Sequence, residues 1–195
     1  MTVADHKTAL LDVLKARSFK RGQFTLASGE SSDYYIDVRL TSVSSEGARL
    51  IGEVIYDQTK DLDIVALGGL AMGAVPLTTA AVIAYSQHGR AMEGFWVRDK
   101  AKEHGTQKTV EGLLKPGSRV AIVEDVATTG TSAIKAVDAV RNLGCEIVLV
   151  LALVDRLRGA EELLRKQGLR YRAVLSIEEF GVKVADAKPV ASTSA

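Results

Sequence analysis

The sequence predicts an open α/β fold, a mostly parallel sheet flanked by helices. Apolar runs of strand length ("DIVALGG", "EGFWVR", "RVAIVEDV", "CEIVLVLALVD") alternate with helical stretches ("VPLTTAAVIAYSQHG", "TSAIKAVDAVRNLG"). These runs are apolar on both faces, as strands covered on each side must be. At 195 residues and 47% hydrophobic, the chain can bury one substantial core, so a single domain over 1–195 is expected.

Taken in order, Leu10, Leu11 and Leu14 share one helical face near the start. "GQFTLASGESSDYYIDVR" then reads as two short strands around a Ser-Gly turn. Residues 1–42 are thus expected to form an N-terminal hood. Ser44, Ser45 and Glu46 offer a helix start, and Leu50, Ile51, Val54 and Ile55 follow at helical spacing. Strand and helix alternate from there on. One polar stretch, "DKAKEHGTQKTVEGLLKPG", with Gly105, Gly112 and Gly117, interrupts them; a loop of that length usually carries function or is disordered. The tail 186–195 is small and polar and is expected to fray.

Several function classes lose support at once. Twenty-five basic against 24 acidic residues leave a net charge of +1, without the positive field of a nucleic-acid binder. No signal peptide opens the chain and no run of about 18 apolar residues occurs, so a cytoplasmic protein with no membrane partner is expected. Cys145 is single and begins an apolar run, which makes it a buried small hydrophobe. "GGLAMGAV" has P-loop glycine spacing, but Ala74 and Val75 stand where lysine and Ser/Thr are required. No G-x-G-x-x-G follows a predicted strand, so a dehydrogenase loses its support too.

"VAIVEDVATTGTS" carries the chemistry. Along a strand over 120–126, Glu124 and Asp125 point to opposite faces near the exit, where ligands of open α/β sheets sit. Thr128, Thr129, Thr131 and Ser132 surround Gly130, and a helix follows with Ile134, Val137 and Val140 inward. Free N–H groups and the positive end of a helix dipole attract a phosphate there, and Gly130 permits a backbone that a side chain would resist. A competing reading makes Thr131 or Ser132 a simple N-cap and leaves the acids solvated.

This stretch resembles the phosphoribosyl diphosphate (PRPP) motif of type I phosphoribosyltransferases. The resemblance implies that Glu124 and Asp125 meet the ribose and that Thr128 to Ser132, including Thr129, Gly130 and Thr131, cradle its 5-phosphate, with Val126 and Ala127 also in the PRPP-binding stretch. Three further segments are similar to the orotate phosphoribosyltransferase family, and the likeness runs over about residues 20 to 180. "VRDKAKEHG" resembles the family's catalytic loop, placing Arg98, Lys102 and His104 on the diphosphate; Asp99 breaks the pattern. "FTLASGESSDYYID" resembles the hood over orotate, with Tyr35 and Ile36 along the base. In "LVDRLRG", Arg156 matches the orotate-binding arginine, and Thr128 also borders the base.

The resemblance implies transfer of a phosphoribosyl group from PRPP to orotate in pyrimidine (UMP) synthesis. Catalytic roles fall to Lys102, His104 and Asp125. Mg²⁺ is implied, bound mainly through PRPP rather than by a protein metal cluster, as is a homodimer with shared sites. Two lysines common in the family are absent, at Ala27 in the hood and Gly73 in the pyrophosphate loop. A purine-using transferase and a PRPP-sensing regulator of the same fold are the alternatives.

Overall fold

The computed structural model describes residues 2–25, 31–99 and 109–184. Helix α1 (Val3–Arg17) starts at a reciprocal cap in which the Thr2 hydroxyl accepts from the Asp5 N–H and the Asp5 carboxylate from the Thr2 N–H. Its Leu10 and Leu14 are fully buried. Strands β1 (Phe19–Thr25) and β2 (Ser31–Ile36) form a separate antiparallel pair, the arrangement expected of the hood. After the short α2 (Arg39–Ser42), helix α3 (Ser45–Thr59) begins at Ser44, whose Oγ accepts from the Gly47 N–H at 3.2 Å.

The remaining elements are β3 (Ala66–Leu70), α4 (Ala74–Gln87), β4 (Glu93–Val97), β5 (Val110–Gly112), β6 (Arg119–Ala127), α5 (Thr131–Arg141), β7 (Glu146–Asp155), α6 (Ala160–Lys166) and β8 (Tyr171–Ser176). The six-stranded sheet has the order β5-β4-β3-β6-β7-β8. All its pairings are parallel except that of β5 with β4. The chain runs outward from β3 to β4, then returns to β6 on the other side of β3. That reversal leaves a crevice beyond the carboxyl ends of β3 and β6, where open α/β sheets take ligands.

Alternation along β6 divides the core into two layers. Ala121 and Val123 pack with Leu50, Ile51, Val54, Leu77 and Ala81 of α3 and α4, and Val120 and Ile122 with Ala133, Ala136, Val137 and Val140 of α5. By the same parity Asp125 falls on the α4 side and Glu124 on the α5 side. The pair of glycines in β3 is explained by crowding: a Cβ on Gly68 would lie 2.0 Å from the Phe95 carbonyl oxygen, and one on Gly69 2.0 Å from that of Val123. These glycines therefore serve sheet packing. Cys145 is buried, as its apolar run indicates. Among the described residues, no helix is long and apolar enough to cross a membrane.

Candidate active site

A cavity of about 360 Å³ opens past the carboxyl ends of β3 and β6. Three segments build its walls. The end of β6 supplies Glu124 and Asp125, the turn 70–74 between β3 and α4 lies opposite, and Tyr35 and Ile36 of β2 face in from the hood. Val126, Thr128, Ser132 and Arg156 complete the predicted residues that line it.

The two acids reach this cavity from different sides of the sheet. Glu124 is 9% exposed, and its Oε2 has no hydrogen-bond partner. Burial, then the neighbouring Asp125 and Asp155, push its carboxyl up to about 8, while the Ser132 hydroxyl pulls the other way. Asp125 is also raised, chiefly by burial, with backbone N–H groups and Arg39 acting against the rise. Its carboxylate fills the space in front of Gly73, where a Cβ would meet Oδ1 at 2.4 Å.

Beyond the acids, the chain turns sharply into α5. Gly130 caps the helix at φ 83°, in the left-handed region that favours glycine, and no side chain caps it. Thr131 and Ser132 are thus first-turn residues, not N-caps, and the reading that assigned them only a capping role fails. The Thr129 and Thr131 hydroxyls lie 3.2 Å apart. This clustering of hydroxyls and unpaired first-turn amides suits an anion with several oxygens. Ala127 is buried at the strand end, and its carbonyl accepts from the Arg156 N–H at 2.9 Å.

Arg156 is fixed at its head as well as its backbone. Its Nε donates to the Tyr34 hydroxyl at 2.8 Å, and its guanidinium carbon lies 4.8 Å from the Tyr34 ring centroid. The preceding Asp155, 2% exposed, accepts from the Leu157 N–H at 2.7 Å and from the Tyr171 hydroxyl at 2.8 Å. Strand β7 therefore ends in a pinned turn.

A phosphoribosyl transferase domain model matches residues 40–186 of the chain. The orotate phosphoribosyltransferase of Rhodopseudomonas palustris is 45% identical over 184 residues, covering 92% of this chain and 98% of that protein. The chain belongs to the orotate phosphoribosyltransferase family. Two solved structures of the Mycobacterium tuberculosis family member superpose on it. One, in complex with Fe(III) dicitrate, gives a TM-score of 0.81 at 41% identity over 91% of this chain and 99% of the other. The second, in complex with PRPP, gives 0.78 at 37% identity over the same shares.

Against the family pattern, the predicted residues divide into three groups. Tyr35, Ile36, Glu124, Asp125, Val126, Thr128, Ser132 and Arg156 line one crevice, whereas Ala127, Thr129, Gly130 and Thr131 are not in its lining. Arg98 does not line it: its Nε pairs with Glu111 on β5 at 2.8 Å. Lys102 and His104, like Ala27, lie outside the described residues. Asp99, the departure from the loop pattern, forms an ion pair with Lys135 of α5 at 2.8 Å.

Asp37 and Arg39, which line the cavity, and Tyr34, which holds Arg156, are not among the residues predicted above. The signal was available in "YYIDVR". Alternation along β2 turns Tyr34 inward when Tyr35 is exposed, and the polar residues just after a ligand-facing strand end belong to the same wall.

Proposed function

We infer that the chain transfers the 5-phosphoribosyl group of PRPP to orotate, giving orotidine 5′-monophosphate and pyrophosphate in the synthesis of UMP. One observation carries this reading: buried Glu124, half-buried Asp125, the hydroxyls of Thr128 and Ser132 at the start of the helix, and a held arginine share one crevice. Carboxylates suit a diol, first-turn amides suit a phosphate, and a planar guanidinium suits a flat carboxylated base. The names of the relatives support orotate as the acceptor. In this proposal Glu124 and Asp125 hold the ribose, residues 128–132 the 5-phosphate, and Tyr35, Ile36, Thr128 and Arg156 the base.

The reaction breaks the C1–O bond to the diphosphate and forms a C1–N bond to orotate. Positive charge develops on the ribosyl centre, beside Asp125, as negative charge develops on the leaving group. Mg²⁺ fits this donor set, because Glu124 presents an oxygen without a partner and hard cations take oxygen ligands. When bound, it neutralises charge on the diphosphate. The ion would be held mainly by the oxygens of PRPP, and Glu124 and Asp125 would meet it in part through the ribose hydroxyls they bind. Arg98, Lys102 and His104 remain proposed diphosphate contacts, and a cytoplasmic homodimer with shared sites is proposed on the family likeness.

The test is spectrophotometric. With PRPP and Mg²⁺, orotate absorbance should fall and pyrophosphate should appear in equal amount. Turnover of adenine or hypoxanthine in place of orotate would reassign the acceptor. Nucleic-acid binding at physiological salt with no turnover would instead support a regulatory protein.

A further inference from the structure

Charge balance in the crevice points to a residue outside the roles assigned above. Arg39 and Arg156 are the cationic side chains lining it, facing the carboxyls of Asp37, Glu124 and Asp125. A diphosphate that approaches Asp125 therefore needs a cation on that side, and Arg156 is committed to the hood through Tyr34. The turn 70–74 offers none. A side chain at position 73 would start inside the Asp125 carboxylate, since its Cβ would meet Oδ1, Cγ and Oδ2 at 2.4, 2.5 and 2.6 Å.

Arg39 stands on the same wall and is built to serve. Its Nε donates to Asp37 Oδ1 and its Nη2 to Asp37 Oδ2, each at 2.8 Å, while Asp37 Oδ1 also accepts from the Arg39 backbone N–H at 3.1 Å. This fork fixes one edge of the guanidinium and leaves the Nη1 donors unused by the pair. The Arg39 side chain is 59% exposed, so an incoming ligand can reach it. Arg39 and Asp125 line the same cavity.

We propose that Arg39 is the cation that grips the diphosphate of PRPP on the Asp125 side of the crevice, with Asp37 as its positioning residue. This rests on the transferase reading above. A guanidinium oriented by a carboxylate is preorganised, so little side-chain freedom is lost when phosphoryl oxygens arrive. Partial neutralisation by Asp37 also moderates the grip, which suits a group that must leave as product.

The experiment is calorimetric titration of wild type and Arg39→Met with PRPP, pyrophosphate and ribose 5-phosphate, each with Mg²⁺. Loss of a charge-assisted contact should weaken PRPP and pyrophosphate by about tenfold or more. Ribose 5-phosphate, which lacks the diphosphate, should keep its affinity within about twofold, and Arg39→Lys should recover part of the loss. Pyrophosphate affinity unchanged in Arg39→Met would overturn the assignment. So would equal weakening of ribose 5-phosphate, which would make Arg39 a support for the ribose acids. A wild type that binds PRPP but never consumes orotate would sink the proposed acceptor and leave Arg39 in place.

Discussion

The hydroxyl of Tyr34 accepts a 2.8 Å hydrogen bond from Arg156 Nε, joining the hood to the end of β7. Because Nε is occupied, the guanidinium presents its remaining donors to the crevice in one orientation. Tyr34→Phe keeps the ring under the guanidinium and removes only this anchor. The KM for orotate should then rise about five- to tenfold, as loss of one hydrogen bond to a charged group implies, with the KM for PRPP unchanged. Steady-state kinetics with each substrate varied in turn checks it.

Gly73 matters for what it leaves empty. Gly73→Ala puts a methyl carbon 2.4 Å from Asp125 Oδ1, so the carboxylate must move. Turnover should fall by at least about tenfold, in keeping with the cost of a misplaced catalytic group. The melting temperature should change little, because the residue opens onto the crevice and not onto either core. An active Gly73→Ala enzyme would show that the position of Asp125 is not critical.

Glu124 gives the ligand-free chain a pH dependence. Its carboxyl rises on folding from the ordinary 4.5 to about 8, so the folded state holds that proton more tightly. The stability this contributes is complete below about 4.5 and is lost as pH climbs through about 8. Glu124→Gln removes the ionisation, and should melt at least about 4 °C above wild type at pH 9, with a much smaller difference at pH 5. Thermal melts at both values decide the point. Equal melting temperatures at pH 9 would mean that the buried carboxylate carries no penalty.

Much of this arrangement was legible in the residues. The two-sided apolar runs announced parallel strands, and the acids followed by hydroxyls around a glycine marked the crevice. What escaped had weaker local signals. Strand β5 is only three residues long and sits in a polar stretch, so no alternation could develop. Helix α6 is seven residues, too short for a helical period to stand out, and β8, "YRAVLS", breaks its apolar run with Arg172 and takes its place by pairing with the distant β7. Arg98 was read from a loop pattern, and its pairing with Glu111 depends on β5 folding back beside β4, a long-range contact that spacing does not reveal.

Asp99 is accommodated without a large energetic role. Its pair with Lys135 leaves 52% and 61% of the two side chains exposed, so the contact is well solvated. Such pairs contribute between zero and about 1 kcal/mol. Lys135→Ala should therefore shift the melting temperature by no more than about 4 °C. A larger fall would assign the pair a structural importance that its exposure does not support.

Asp125 separates function from folding most cleanly. Asp125→Asn keeps the shape that fills the space before Gly73 and removes the charge beside the ribosyl centre. Turnover should fall by about a hundredfold or more, a size typical of lost transition-state electrostatics, with melting temperature equal to or above wild type.

The central claim is that one strand-to-helix corner grips both ends of a ribose phosphate. A crystal structure with orotidine 5′-monophosphate tests it most directly. The account expects the 5-phosphate against the amides and hydroxyls of residues 128–132 and the ribose hydroxyls within hydrogen-bonding distance of Glu124 and Asp125. A nucleotide bound elsewhere, with both carboxylates facing water, would contradict it.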